Sequence, residues 1–308
     1  MTGPAPHFTI FTPTFDRAHT LGRGYEGLVG QTFRDFEWLI VDDGSKDGTE
    51  ALVAGWQREG KISIRYFRQD HRGAHVATNL GVREARGEFF AKLDSDDAFN
   101  PDTLEKMWDH WLGIPEAERA HFVGVTGLCQ DQTGELVGDR FPSSPLDSTP
   151  PELQYRHRVK GDKFGILRTA ALREYPYPED IKGNFIPEAI LWNKIARHYR
   201  TRYVNDVVLK VWRDQPSLTR GRSKVTTNAE GHRLLFMSVL NDELRWLPSA
   251  PDKFVRAAAN YLRFSWHCHV SLGSQWRALH GGMTKLLWLL SAPLGVPLYL
   301  RDRMTGRA

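Results

Sequence analysis

The fold is indicated most clearly by the stretch Glu88–Asp97, which reads EFFAKLDSDD. An apolar, strand-forming run ends there in three carboxylates within four positions. Further strands are predicted at Phe8–Phe11, Glu37–Val41 and Ile62–Phe67. Helical patterns separate the strands, at Ala18–Gln31, Gly48–Arg58 and Ala74–Arg86. Regular alternation of strand and helix predicts an α/β fold whose parallel sheet has right-handed crossovers.

Polar loops follow three of these strands. They are Pro13-Thr14-Phe15, Asp42-Asp43-Gly44-Ser45 and Asp94-Ser95-Asp96-Asp97. In open α/β sheets, ligands bind outside the carboxyl ends of the strands, near the point where strand order reverses. We therefore expect the three loops to meet at one edge of the sheet.

The acidic loop after the fourth strand favours a function over a turn. Three adjacent carboxylates repel one another unless a cation neutralises them, and oxygen ligands suit Mg²⁺ or Mn²⁺. The alternative is a helix-capping turn, but Asn100 and Pro101 already supply a cap and a first helical residue. The acidic residues are thus not needed for capping.

The second acidic loop does not fit a calcium site. A calcium loop starting at Asp43 would need Glu at its twelfth position, where the chain has Ala54. Asp47-Gly48 is typical of a turn before a helix. Asp43 is then expected to stand free to accept a hydrogen bond from a base or ribose.

Other function classes find little support. Gly22, Gly24 and Gly27 match the spacing of a dinucleotide fingerprint, but nine residues separate the match from the first strand, which ends near Thr12. The chain has no nucleophile elbow and no phosphate-binding P-loop. Its net charge of 41 − 37 = +4 is spread along the sequence, so nucleic-acid binding is not expected.

The composition fits a globular protein of a reducing compartment. Of 308 residues, 41% are hydrophobic and 25% charged. Cys129 and Cys268 are far apart and without a partner motif, and the first residues show no secretory signal. A cytoplasmic location is the default expectation.

At this point the motifs resemble a known family. The runs Thr12–Arg17, Val41–Ser45 and Leu93–Asp97 resemble those of family 2 glycosyltransferases of the A-type fold, in the same order and spacing. Two further runs, Gly161–Phe164 and Phe185–Ala196, look like the acceptor half of bacterial members. The resemblance covers roughly residues 8 to 220.

The resemblance implies an inverting, metal-dependent transfer from a nucleotide sugar, usually a uridine diphosphate (UDP) sugar. It implies a Rossmann-like, mostly parallel sheet, with Pro13, Phe15 and Asp43 framing the uracil. Asp96 would be the metal ligand, Mn²⁺ or Mg²⁺, assisted by Asp97. The remaining donor-site positions that it implies are His75, Asn79, Asp94 and Ser95, together with Asp96.

Glu188 is the candidate catalytic base, because displacement at the anomeric carbon needs a carboxylate near the acceptor hydroxyl. Many relatives carry Glu-Asp here, whereas Ala189 follows Glu188. Asp162 or Asp180 are alternatives, and Glu188 could instead be a first-turn residue favoured by the helix dipole. Arg213 and Arg220 either cover the diphosphate or are solvated surface charges.

We expect a catalytic domain at 1–225, with a nucleotide-sugar half at 1–100 and an acceptor half at 101–225. Within the acceptor half the patterns predict strands at Phe122–Gln130, Phe164–Arg168 and Tyr203–Leu209, and helices at Pro101–Leu112 and Pro187–Tyr199. A helical extension follows at 226–308.

The run Leu286–Leu300 is uncharged and has basic flanks, but Pro293 and Pro297 should interrupt it before it can span a bilayer. The tail 285–303 is expected to lie at an anionic membrane surface, or else to pack on protein.

The leading interpretation is a transferase that adds one sugar to a lipid-linked or cell-surface polysaccharide acceptor at the inner face of the plasma membrane. Processive synthesis is not expected, because the chain lacks the Gln/Arg-x-x-Arg-Trp signature and multiple spans. Nucleotidyl transfer would need a Gly-rich phosphate loop after the first strand, where Pro13-Thr14-Phe15 stands. A non-catalytic sugar-nucleotide-binding scaffold is the remaining alternative.

Overall fold

A computed structural model describes residues 5–181, 183, 185–214 and 227–304. Within these residues the chain divides into two units. The first consists of Met1–Thr149, Val159–Pro176 and Ile195–Gln215. The second consists of Pro150–Arg158, Tyr177–Lys194 and Pro216–Ala308. The predicted domain boundary at residue 225 lies outside the described residues.

The first unit begins with the predicted alternation of strands and helices. Its strands are β1 (Phe8–Thr14), β2 (Phe36–Asp42), β3 (Ser63–Arg68) and β4 (Phe89–Lys92). Its helices are α1 (Gly22–Val29), α2 (Thr49–Glu59) and α3 (Ala74–Glu84). The four strands are parallel and lie in the order β3-β2-β1-β4.

Burial explains why these strands are so apolar. Every residue of β2 is buried, as expected for a parallel strand that is covered on both faces. Helix α3 lies very close to β1, since a Cβ on Gly81 would come within 2.4 Å of the Phe11 ring. This contact packs the C-terminal part of α3 against the middle of β1.

The middle of the chain extends the sheet. It contributes β5 (Ala98–Phe99), α4 (Thr103–Leu112), β6 (Phe122–Asp131), β7 (Leu146–Ser148), β8 (Lys163–Arg168), α6 (Thr169–Glu174) and β9 (Arg200–Val211), with α5 (Pro150–Tyr155) in the second unit and a 3₁₀ turn at Glu116–His121. Strand β8 lies antiparallel between β4 and β6, and β9 runs parallel to β6. Strands β5 and β7 pair antiparallel with β9. The part of the sheet beyond β4 is therefore mixed.

Two predicted helix starts were wrong. Helix α1 begins at Gly22 rather than Ala18, because the preceding residues form the loop after β1. Helix α4 begins at Thr103 rather than Pro101. The Asn100 side chain does not cap it, since its Nδ2 donates to the Val207 carbonyl at 2.9 Å.

The second unit is helical, as predicted for the C-terminal region. It contains most of α7 (Ala189–Ile195), then α8 (Ala229–Asp242), a 3₁₀ turn at Leu244–Trp246, α9 (Pro251–His267), α10 (Leu272–Ala278) and α11 (Gly282–Met304). Its core is built around Tyr155, Phe254, Tyr261 and Leu262.

Helix α11 corrects the expectation that prolines end the helical run. It continues through Pro293 and Pro297 for 23 residues. Among the described helices it alone is long and apolar enough to cross a membrane by length and composition. Of the most apolar 18-residue segment of α11, 28% is buried inside the protein.

Candidate active site

The sheet has its topological switch point between β1 and β4. Strands β2 and β3 follow one another on one side of β1, and β4 lies on the other side. The loops after β1, β2 and β4 begin side by side, because Asp43 N donates to the Thr14 carbonyl and Leu93 N to the Phe11 carbonyl, each at 2.8 Å. The three polar loops therefore flank the place where ligands bind in sheets of this kind.

The acidic loop turns sharply after β4. Asp97 N donates to the Asp94 carbonyl at 3.1 Å, and Ser95 and Asp96, which are partly exposed, form the tip. Asp94 is exposed and lies 3.0 Å from Lys92 Nζ. Asp97 is only 8% exposed, and its Oδ1 accepts a hydrogen bond from the Trp212 backbone at 3.1 Å.

The acidic loop carries more negative charge than its surroundings balance. Burial, together with the nearby Asp94 and Asp96 carboxylates, raises the pKa of Asp97 to about 8. Burial and Asp94 also raise the pKa of Asp96, against the opposing effect of Arg17 and Arg23. The donor set is all oxygen, which fits Mg²⁺ or Mn²⁺. Among the described residues, however, no three His, Cys, Asp or Glu side chains already form a metal-binding group.

Arg23 links the acidic loop to a distant segment, and sequence analysis missed it. Its guanidinium pairs with both oxygens of Asp214, at 3.2 and 2.6 Å, and lies over the Trp212 ring at 4.9 Å. It also donates to the Asp96 carbonyl at 3.4 Å. An indication was available, since a basic residue in the first turn of α1 is unfavourable for the helix dipole and so suggests another role.

The expectation that Asp43 stands free was wrong. Asp43 is 4% exposed, and its Oδ1 accepts from Gln69 Nε2 at 2.7 Å and from Arg72 N at 2.9 Å. Its Oδ2 accepts from Gly73 N at 2.9 Å and lies 3.0 Å from His71 Nδ1. The carboxylate thus fixes the loop after β3 onto the loop after β2. Contact with a donor nucleotide stays a prediction.

An aromatic surface lies beside Asp43. Phe15 is 40% exposed and stacks on His71, with ring centroids 4.1 Å apart and an interplanar angle of 28°. Pro13, two residues earlier, is partly exposed. His71 was missed by sequence analysis, although it lies in the polar loop after β3, at the same sheet edge as the other three loops.

The loops after β1 and β2 brace one another. Asp16 Oδ1 accepts from Lys46 N at 2.7 Å, and Asp47 Oδ2 accepts from Ala18 N at 2.9 Å. Asp47 Oδ1 also accepts from Thr49 N at the start of α2, which confirms its role as a turn residue. These contacts hold Phe15 in place without any ligand.

His75 and Asn79 share one face of α3, one turn apart. They are 4% and 6% exposed and so lie beneath the surface of the site. Their predicted position in the donor site stays a prediction. The glycines of the apparent dinucleotide fingerprint lie in α1, not in a turn after β1, which explains why that match is accidental.

The base candidates belong to different units. Glu188 lies in the second unit, immediately before α7, and its carbonyl accepts from Leu191 N and Trp192 N at the helix start. Asp180 is exposed in the same unit. Asp162 is in the first unit and is close enough to the acidic loop to raise the pKa of Asp97. Arg213 follows Trp212, whereas Arg220 lies outside the described residues.

A sheet whose parallel half carries an acidic loop at its switch point is typical of nucleotide-binding α/β enzymes. Residues 9–175 match the family model for glycosyl transferase family 2, and the chain therefore belongs to this family and is a glycosyltransferase. This result decides against nucleotidyl transfer.

Two bacterial glycosyltransferases illustrate what this chain is similar to. The GalNAc(5)-diNAcBac-PP-undecaprenol beta-1,3-glucosyltransferase of Campylobacter jejuni is 24% identical over 304 residues, covering 96% of this chain and 93% of that enzyme. A putative teichuronic acid biosynthesis glycosyltransferase of Bacillus subtilis, TuaG, is 29% identical over 56% of this chain and 65% of its own length.

Solved structures confirm the A-type glycosyltransferase fold. S. aureus TarS (residues 1–349) superposes with a TM-score of 0.65 at 18% identity, covering 97% of this chain and 91% of TarS. The same TarS fragment has been solved with UDP-GlcNAc. The mannosyltransferase PcManGT of Pyrobaculum calidifontis, solved with GDP-Man and Mn²⁺, gives a TM-score of 0.54 at 19% identity, covering 98% of this chain and 84% of that protein.

Proposed function

We propose that this protein transfers a single sugar from a UDP-sugar to a lipid-linked or polysaccharide acceptor, with inversion at the anomeric carbon. The observation that carries the proposal is the meeting of an acidic loop, Asp94–Asp97, with the Phe15 and Asp43 loops at the switch point of the sheet. The acidic loop supplies negative charge for a metal ion that would bind the diphosphate. The Phe15 loop offers an aromatic face on which a base can stack.

The donor side follows from this arrangement. The exposed Phe15 ring offers a flat apolar surface on which a uracil can stack. Uridine is favoured because TarS, which has the same fold, was solved with UDP-GlcNAc. The guanosine sugar bound by PcManGT makes guanosine the competing nucleotide.

Asp96, assisted by Asp97, would hold the divalent cation. Bound there, the cation would neutralise the departing diphosphate as a Lewis acid. The chain's own part is to supply carboxylates that lack enough positive partners, as the raised pKa of Asp97, about 8, indicates. Arg23 holds the backbone of Asp96 from the other side.

The transfer itself needs one base. The acceptor hydroxyl gives its proton to a carboxylate while its oxygen bonds to the anomeric carbon and the bond from that carbon to the diphosphate oxygen breaks. Glu188 is the proposed base. Asp162 is the competing candidate, because it belongs to the same unit as the acidic loop and interacts with Asp97.

The acceptor class is suggested by relatives. The Campylobacter enzyme is named for an undecaprenol-linked saccharide, GalNAc(5)-diNAcBac-PP-undecaprenol, and TuaG for teichuronic acid biosynthesis. Either acceptor would place the work of this protein at the cytoplasmic face of a membrane.

Calorimetric titration with UDP, GDP, ADP and CDP, each with Mn²⁺ and then with EDTA, tests the donor and the metal together. We expect UDP to bind best and only with Mn²⁺. Asp96→Asn should abolish the Mn²⁺-dependent part, whereas Asp109→Asn, an exposed carboxylate on α4, should not. A preference for GDP would mean that the donor is a guanosine sugar and not a UDP-sugar. UDP binding that is unaffected by EDTA and by Asp96→Asn would contradict the proposed metal site.

A second comparison tests the base. Glu188→Gln and Asp162→Asn are compared for UDP affinity and for incorporation of labelled sugar from a UDP-sugar into a membrane lipid extract. Loss of a general base lowers turnover by about 10² to 10⁴ without loss of donor binding. We expect this result for Glu188→Gln. The same result for Asp162→Asn alone would move the base to the first unit.

A further inference from the structure

Helix α11 is apolar on the face that it turns away from the protein as well as on the face that packs against it. The side chains that it turns outward are large and apolar, at 47% to 80% exposure. We call this face the apolar stripe; it consists of Leu286, Leu289, Leu290, Leu294, Leu300 and Met304. A surface helix normally directs such residues toward the core.

The face that α11 buries combines the apolar Leu287 and Trp288 with small or polar residues. Thr284 Oγ1 donates to the Leu240 carbonyl at 3.4 Å, near the start of the helix. Gly295 allows close approach to α9, since a Cβ there would lie 2.8 Å from the Ala259 carbonyl oxygen. Near the end of the helix, Asp302 is fully buried and accepts from Arg263 Nη2 at 2.8 Å.

These contacts decide how the helix can meet a membrane. Thr284, Gly295 and Asp302 fix α11 to α8 and α9 along its whole length, so in this structure it lies on the second unit and does not leave it to cross a bilayer. Pro293 and Pro297 are on the exposed side and provide no N–H groups for the carbonyls four residues earlier. Water at a membrane interface can satisfy such carbonyls, whereas in the hydrocarbon core another protein group would have to do so.

The charges around the stripe indicate its partner. Residues 269–304, all of them described, contain four Lys or Arg residues and a single acid, the buried Asp302. Arg301 and Arg303 lie at one end of the stripe, and Lys285 lies beside its beginning. A second copy packed antiparallel on the stripe would bring these like charges together. An anionic lipid surface would complement them.

We propose that α11 is an interfacial docking helix, whose apolar stripe inserts between the headgroups of an anionic bilayer while the helix lies parallel to the membrane. The docking depends on neither the donor nor the metal. It would hold the enzyme at the surface where lipid-linked acceptors are found.

Vesicle flotation of the full chain tests the proposal. The vesicles are phosphatidylcholine alone, or phosphatidylcholine with about 30% phosphatidylglycerol. We expect binding to the anionic vesicles, and at least about tenfold weaker binding for Leu290→Gln/Leu294→Gln. Leu112→Gln is the matched control, since Leu112 is a similarly exposed leucine on α4, at 45%. It should bind as the wild type does.

A second variant changes the basic residues at the end of the stripe and leaves its leucines unchanged. Arg301→Gln/Arg303→Gln should weaken binding to anionic vesicles by about tenfold or more. Thermal unfolding and light scattering establish that each variant is folded and report its oligomeric state.

The proposal is overturned if the wild type does not float with anionic vesicles. It is also overturned if the wild type is a dimer that Leu290→Gln/Leu294→Gln separates, because the stripe would then bind a second copy. Nucleotide binding is measured separately, so failure here leaves the proposed transfer reaction standing.

Discussion

Asp43 fixes the arrangement of the loops around the site through its carboxylate. Its carboxylate receives two backbone N–H groups and the Gln69 amide, and His71 stands beside it. A carboxylate offers about four acceptor positions, and these three N–H donors occupy three of them. The residue therefore fixes the loop that carries His71, and His71 in turn covers one face of Phe15.

Asp43→Asn should destabilise the fold as well as the site. The new amide would place an NH2 group where one of the two carboxylate oxygens now accepts, so that either the Arg72 or the Gly73 N–H would lose its acceptor. We expect a loss of about 2 to 3 kcal/mol in the free energy of unfolding, measured with urea. Asp70→Asn, an exposed carboxylate in the same loop, should change it by less than about 0.5 kcal/mol. Equal effects would mean that the four contacts contribute little.

Phe15 provides a separate test of base stacking. Phe15→Ala removes the ring, and we expect UDP binding to weaken by about fivefold, which corresponds to about 1 kcal/mol for an aromatic contact. Phe15→Tyr keeps the ring and should bind nearly as the wild type does. Calorimetry with Mn²⁺ present measures both. Unchanged affinity in Phe15→Ala would show that the base lies elsewhere.

Single residues were predictable to different degrees. The acidic loop and Asp43 could be located because strand ends and turn residues are local features of the sequence. That Asp43 is enclosed could not be known, because the Gln69 and Gly73 partners come from another loop. The contact of Arg23 with Asp214 joins residues 191 positions apart, and no local pattern predicts it.

At the scale of elements, local sequence patterns predicted the parallel half of the sheet. They did not predict how the strands of the mixed half pair. Each strand of β1 to β4 is followed by a helix or loop with clear local preferences. Strand β8 was expected as a strand, but its insertion between β4 and β6 depends on contacts between distant segments. The two prolines of α11 misled the prediction, because the packing of α11 on α9 maintains the helix beyond its local propensity.

That packing can be tested at Gly295. A Cβ there would come within 2.8 Å of the Ala259 carbonyl oxygen and 3.1 Å of Leu262, so Gly295→Ala should push α11 away from α9. We expect a loss of about 1 to 2 kcal/mol in unfolding free energy. Gly273→Ala in α10 meets nothing within 4 Å and should instead gain about 0.5 kcal/mol from helix propensity. Gains at both positions would show that α11 is loosely held.

At the scale of the whole molecule, the residues proposed for donor binding and those proposed for membrane docking belong to different units. The proposed donor-site residues lie in the first unit, and α11 with its apolar stripe lies in the second. Sequence patterns predicted a helical C-terminal region, but not that Pro150–Arg158 and Tyr177–Lys194 associate with it. Those short segments carry no distinguishing composition, and only their long-range contacts assign them.

Because the residues proposed for donor binding and for docking belong to different units, we expect donor binding and membrane docking to be independent of each other. Only transfer of the sugar to a lipid extract in vesicles should depend on both. Leu290→Gln/Leu294→Gln should bind UDP with Mn²⁺ as the wild type does, with or without anionic vesicles, because the stripe and the proposed donor-site residues belong to different units and independent sites act additively. Incorporation of labelled sugar into a lipid extract held in those vesicles should fall by about tenfold or more, since the enzyme would no longer concentrate there. Leu112→Gln should change neither. A parallel loss of UDP affinity would show that the stripe supports the donor unit itself, and full incorporation would show that transfer does not need docking.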